Sequence, residues 1–103
     1  MTEIVPAALE QALEKFLHQS IYVHLEVNPG AYTRNHGMRL CATHVRGNHP
    51  YRVFLTFDDG VGVLHIDDVT HMDLSENLVI VTGYDEHDRI ARTLELSRTP
   101  LSM

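Results

Sequence analysis

The sequence is short of the residues that mark several common functions. Cys41 is its only cysteine, so no internal disulfide can form and no Cys-x-x-Cys pair exists for zinc or redox work. No apolar run is longer than Leu78-Val79-Ile80-Val81, far below the ~20 residues needed to span a bilayer. Met1-Thr2-Glu3-Ile4-Val5-Pro6 has no basic segment leading into an apolar one, which argues against a secretory signal and for a soluble cytoplasmic protein. Tryptophan is absent, and 6 Gly and 4 Pro are too few for a fibrous or low-complexity chain. Bases are scarce too, 8 against 14 acids, so at a net charge of -6 a polyanion is not the default partner.

What is present is 103 residues with 44% hydrophobic content. That is one domain, residues 1–103, large enough to bury a core without a disulfide or metal staple. Eight histidines are the compositional anomaly. They are uncharged in the sum above, and their titration would swing it strongly.

Helical periodicity occurs once. Leu9, Ala12, Leu13, Phe16 and Leu17 share a face at the i, i+3, i+4, i+7, i+8 spacing, and Pro6 suits the first turn. The spacing predicts a helix over Pro6–His18, its apolar stripe lying on a sheet. A membrane-surface helix would carry a Lys/Arg-rich face, and here there is only Lys15.

Beyond Ser20 the period falls to two. Ile21, Val23, Leu25 and Val27 alternate with Tyr22, His24 and Glu26, as in a strand with one buried face. Strands are predicted at 21–27, 38–46, 51–57, 61–66, 78–84 and 89–96. Asn28-Pro29-Gly30 and Gly47-Asn48-His49-Pro50 read as turns. Asp58-Asp59-Gly60 reads as a tight hairpin of the type that needs positive φ. Residues 67–77 read as polar connection with a short strand near His71. The apolar run at 78–83 points to a central strand covered on both faces. The fold class is therefore mainly β with one N-terminal helix: a strongly bent antiparallel sheet or small barrel-like structure, the helix plugging one side.

Charge is unevenly spread. Residues 27–57 hold Arg34, Arg39, Arg46 and Arg52 and no acid, whereas 58–88 hold no Lys or Arg and all of Asp58, Asp59, Asp67, Asp68, Asp73, Glu76, Asp85, Glu86 and Asp88. Cross-strand pairing of these blocks is one reading. A basic, partner-facing loop region at 28–52 is the other.

Catalytic signals are weak. His65 and Asp67 lie two apart on one strand face, which makes a His/Asp-based metal-binding enzyme the alternative function, but no His-x-His or His-Glu-x-x-His accompanies them. Cys41 has the setting of a small structural thiol, and none of the serines sits in a Gly-x-Ser-x-Gly elbow. Asp58/Asp59 and Asp67/Asp68 are adjacent pairs whose members point to opposite faces of a strand. Tyr32 and Tyr51 among the arginines are the residues a nucleic acid would stack on, yet the pI of 5.7 makes that partner unlikely.

Three ordered stretches carry a family resemblance: Ile21-Tyr22-Val23-His24-Leu25-Glu26 with Gly30-Ala31-Tyr32, then Arg46-Gly47-Asn48-His49-Pro50-Tyr51-Arg52-Val53, then the Leu78–Leu96 hairpin closing on Thr99-Pro100. Together they resemble the YojF-like family of uncharacterised bacillus-group proteins, over about residues 9–101. The resemblance implies a small, mainly β fold with coiled sheets, no assigned activity and no catalytic residue to carry over. It also implies a partner, because the family's genes often neighbour a zinc-dependent deacetylase of the bacillithiol pathway.

The leading expectation is thus a non-catalytic cytoplasmic domain, without cofactor, that binds a partner protein such as that deacetylase, or a small ligand. Its site is expected from His24, Glu26, Tyr32, Tyr51 and Arg52. Self-association through strand edges is a further expectation for so small a β domain.

Overall fold

The computed structural model describes residues 1–102. The chain runs β1 (Thr2–Glu3), α1 (Pro6–Glu14), β2 (Ser20–Val27), β3 (Ala31–Gly47), β4 (Tyr51–Phe57), β5 (Gly62–Val69), β6 (His71–Leu74), β7 (Leu78–Tyr84) and β8 (Ile90–Ser97). The strands form one sheet in the order β1-β6-β7-β8-β2-β3-β4-β5, with every neighbouring pair antiparallel. The sheet is strongly curved and does not close into a barrel. Among the described residues no helix is long and apolar enough to cross a membrane.

α1 begins with Pro6 in its first turn and ends at Glu14, four residues short of the predicted end at His18. The apolar stripe outlasts the helix because Phe16 and Leu17 donate back to the Leu13 and Glu14 carbonyls in tight turns. His18 then takes φ 63, and the His18 and Leu40 amides bond the Leu40 and Gln19 carbonyls at 2.7 and 3.1 Å. That pins the helix exit to β3 and swings Phe16 into the core.

The concave face holds the core. Leu9, Leu13 and Phe16 of the helix segment meet Val23, Leu40, Val53, Leu55, Val79, Val81, Leu94 and Leu96, all essentially inaccessible. β7 lies inside the sheet between β6 and β8, in keeping with its apolar run.

Curvature comes from irregularities in β3, which is 17 residues long and pairs twice. Its first half pairs with β2 and its second with β4. Between Val23↔His36 and Leu25↔Thr33, Arg34 and Asn35 together face the single residue His24. Between Leu40↔Phe57 and Ala42↔Thr56, Cys41 is the extra residue. Bulges of this kind bend a strand and raise its twist.

Those bulges also explain why 28–52 is not the loop region expected. β3 fills 31–47, longer than the 38–46 strand that alternation suggested, because a bulge moves the side-chain sequence onto the other face and erases the period of two. The 67–77 connection is likewise mostly strand: β5 continues to Val69 and β6 occupies His71–Leu74. The hairpin after β4 is wider than two residues. Asp58, Asp59 and Gly60 all have positive φ, and Phe57 pairs with Gly62.

β5 leaves the sheet edge at its C-terminal end and crosses to the other half. Thr70 donates to the Thr82 carbonyl at 2.9 Å and accepts from the Ile4 amide at 2.9 Å. Arg92 reaches the Asp68 carbonyl at 3.1 Å. Gly83 sits directly beneath that carbonyl, where any Cβ would collide with backbone.

Candidate functional site

Regular pairing of β2 with β8 sets His24 opposite Glu95 and Glu26 opposite Thr93. Tyr22, His24 and Glu26 occupy the convex face by alternation, yet His24 is only 4% exposed. Three groups cover it. The Tyr32 ring stands edge-on at 5.2 Å, Arg34 arrives from the β3 bulge, and the C-terminal segment is strapped beside them.

Asn35, at φ 56 in that bulge, accepts from the Leu101 amide at 2.7 Å and donates to its carbonyl at 2.9 Å. Arg34 Nε donates to the Ser102 carbonyl at 2.7 Å, and the same oxygen accepts from Nη2. The bulge is therefore what seats the tail over β2.

Arg34 Nη1 also lies 3.1 Å from His24 Nδ1. A guanidinium only donates, so Nδ1 must present its lone pair and the imidazole proton of the neutral ring must sit on Nε2. Nε2 faces Glu26 Oε1 at 3.4 Å and Glu95 Oε2 at 3.9 Å. Asn28 steadies Glu26 from the far side, donating to Oε2 at 2.6 Å and to the Ile90 carbonyl at 3.3 Å. Among the described residues, every buried side-chain nitrogen and oxygen has a hydrogen-bond partner.

Of the residues expected to form one site, the structure brings together His24, Glu26 and Tyr32. It places Tyr51 and Arg52 elsewhere. Tyr51 packs into the core opposite Gly47, while Arg52 is exposed opposite Arg46, at the other end of β3 from Arg34. Adjacent residues on a strand face opposite ways, so these two do not share a surface.

Arg34, Asn35 and Glu95 are members that the sequence reading missed. Glu95 needs the β2–β8 adjacency, which joins residues some seventy positions apart. For Asn35 a local signal existed, since Asn tolerates left-handed backbone, but nothing local tells what it would hold.

Other polar clusters are smaller. His65 and Asp67 do pair, Nε2 to Oδ1 at 3.5 Å, with the imidazole stacked on Phe54 at 5.2 Å. No group of three or more His, Cys, Asp and Glu residues suited to a metal occurs among the described residues. Asp85 organises the β7–β8 turn, its Oδ1 accepting from the His87 and Arg89 amides and its Oδ2 from Arg89 Nε. The Arg89 amide foremost, against an opposing desolvation and with help from the His87 amide and the Arg89 guanidinium, holds its carboxyl below the usual range.

A groove of about 1000 Å³ runs between α1 and the β6–β7 turn and is lined by Ala8, Ala12, Lys15, Ser75, Asn77 and Arg98. Arg98 is spent there as a structural tie. It donates to Gln19, to the carbonyls of Lys15 and Glu76, and lies 4.3 Å over the Phe16 ring.

Residues 3–101 match the family described as "Protein of unknown function (DUF1806)". Along the full length of both chains the sequence is 25% identical, over 118 aligned residues, to the uncharacterized protein YojF of Bacillus subtilis strain 168. The crystal structure of Bacillus subtilis YojF superposes with a TM-score of 0.88 at 24% identity, covering 99% of this chain and 97% of that one. This likeness of structure carries the fold.

Proposed function

Because the chain belongs to the DUF1806 family of proteins of unknown function, its role has to be read from its own site, and we propose a non-catalytic cytoplasmic binding domain. The observation that supports this is the double engagement of His24. Arg34 occupies Nδ1, and Nε2 faces two carboxylates. A base, nucleophile or metal ligand needs a free lone pair, and this imidazole offers none. Its role is to hold Glu26 and Glu95 side by side.

What the face presents outward is then two carboxylates, 31% and 22% exposed, beside the exposed ring of Tyr32. Arg34 points at the imidazole and the Ser102 carbonyl, leaving the carboxylates to an incoming charge. Carboxylates next to an aromatic face suit a cationic group, through ion pairing and the ring quadrupole. The ligand in this reading is an ammonium or guanidinium on a partner protein or small molecule. The resemblance to YojF-like proteins makes the zinc-dependent deacetylase of the bacillithiol pathway the first partner to try.

The test mixes purified chain with that deacetylase and follows complex formation and turnover. A complex that is lost in Glu26→Gln/Glu95→Gln, with the thermal melt unchanged, is the expected result. Equal binding by the double variant removes the cation site, and neither a complex nor a rate change removes the accessory role.

A further inference from the structure

We propose that the outer edge of β5, over Gly62–Ile66, accepts an extended basic segment of a partner protein as an added strand. The surface is distinct from the His24 face and does not depend on it.

β5 ends the strand order, and among the described residues its only ladder partner is β4. Its outer edge therefore presents backbone N–H and C=O groups with no strand to meet them, the template on which β-augmentation works. At the opposite end of the sheet, β1 has only two residues and offers no comparable length. Proteins commonly blunt such an edge with lysine or proline, neither of which β5 contains, or with a bulge, which β5 carries only at Asp67-Asp68, beyond Gly62–Ile66. It carries instead Val61, 88% exposed, just before the strand and Val63, 63% exposed, within it. Leu64 and Ile66 point inward and hold the strand on the core. The edge is thus anchored from beneath and apolar on its outer side.

Charge selects the occupant. Asp58 and Asp59 stand before this edge and Asp67 and Asp68 at its end, all four exposed. Among the described residues no Lys or Arg forms an ion pair with any of the four carboxylates; Arg92 bonds the backbone carbonyl of Asp68, and the Asp67 carboxylate meets His65 at 3.5 Å. A strand flanked by cations would find carboxylates at both of its ends. A second copy of this chain would not. Antiparallel pairing of two β5 edges would bring the Asp58-Asp59 turn of each copy toward the Asp67-Asp68 end of the other, like charge near like charge.

The probe is the peptide Lys-Lys-Thr-Val-Thr-Val-Thr-Lys-Lys with a fluorescent label, read by anisotropy on the full chain. Binding should weaken at least tenfold as salt approaches about 1 M, where the screening length falls to about 3 Å. It should vanish when glutamate replaces every lysine or when alternate amides are N-methylated. Amides of 62–66 should gain protection from hydrogen exchange in the complex. Val63→Lys should abolish binding, and Asp58→Asn/Asp59→Asn, which keeps the positive-φ backbone, should weaken it severalfold; both variants should melt like the parent. Equal binding of the glutamate or N-methylated peptide overturns the proposal, as does no binding at millimolar peptide. A concentration-dependent dimer that Val63→Lys dissolves also overturns it, in favour of a second copy.

Discussion

Arg34 Nη1 and His24 Nδ1 meet at 3.1 Å where the β3 bulge faces β2, and this contact sets the tautomer of the most buried histidine in the site. Nitrogen-15 chemical shifts of the neutral imidazole should show a protonated Nε2 and a bare Nδ1. The reverse tautomer would mean that Arg34 does not donate there. Arg34→Ala should destabilise by about 1.5–3 kcal/mol, since a charged donor is removed from a part-buried acceptor. Thermal unfolding should register this as a fall of several degrees in Tm.

Asn35 serves the same bulge in two ways, through backbone and side chain. Its φ of 56 is costly for most residues, and its amide bonds Leu101 in both directions. Asn35→Gly keeps the conformation and loses the tie, whereas Asn35→Ala loses both. Ala should therefore be the more damaging by about 1 kcal/mol, measured by denaturant unfolding. Both variants should speed hydrogen exchange at the Leu101 amide.

Two glycines within strands should behave oppositely. A Cβ at Gly83 meets the Asp68 carbonyl, which is backbone and cannot yield cheaply, while one at Gly37 meets nothing within 4 Å. Gly83→Ala should cost about 1–3 kcal/mol through forced displacement of the β5 crossover. Gly37→Ala should be neutral or stabilising by about 0.4–1 kcal/mol, because alanine narrows the unfolded ensemble. Matched urea melts decide both.

Arg46 and Arg52 are direct cross-strand neighbours of like charge. Arg46→Glu converts repulsion into attraction and should stabilise by roughly 0.2–1 kcal/mol, an effect that fades with added salt. No gain at low salt would show that the two guanidinium groups already avoid each other.

Asp85 governs the acid response of the β7–β8 turn. Its carboxyl is held below its usual value chiefly by the Arg89 amide. A depressed folded-state value means that its contribution is fully present above the unfolded value near 4 and disappears as pH falls through the lower folded value. The difference in melting temperature between parent and Asp85→Ala should thus be greatest near neutrality and shrink below about pH 4. A difference that persists unchanged at pH 2 would contradict this assignment.

Much of this protein was legible from residue order alone. Period-two alternation located β2 and β4 and their core faces, and the i, i+3, i+4 stripe located α1, because these signals arise within one element. β3 was half hidden, since bulges at Arg34-Asn35 and Cys41 break the alternation that reveals a strand. The site was legible only where it was local. His24, Glu26 and Tyr32 lie on or beside one hairpin, and its pairing Glu26↔Tyr32 joins them.

Sequence by itself determined the fold class, the concave core and the lack of any recognisable catalytic motif, all properties of local pattern and composition. Tertiary structure decided which distant residues became neighbours. Strand order put Glu95 beside His24, the bulge turned Arg34 and Asn35 toward the tail, and β3's length carried Tyr51 and Arg52 away. Strand order, register and bulges are set by packing of the whole sheet around Leu9, Leu13 and Phe16, and no window of sequence contains that packing.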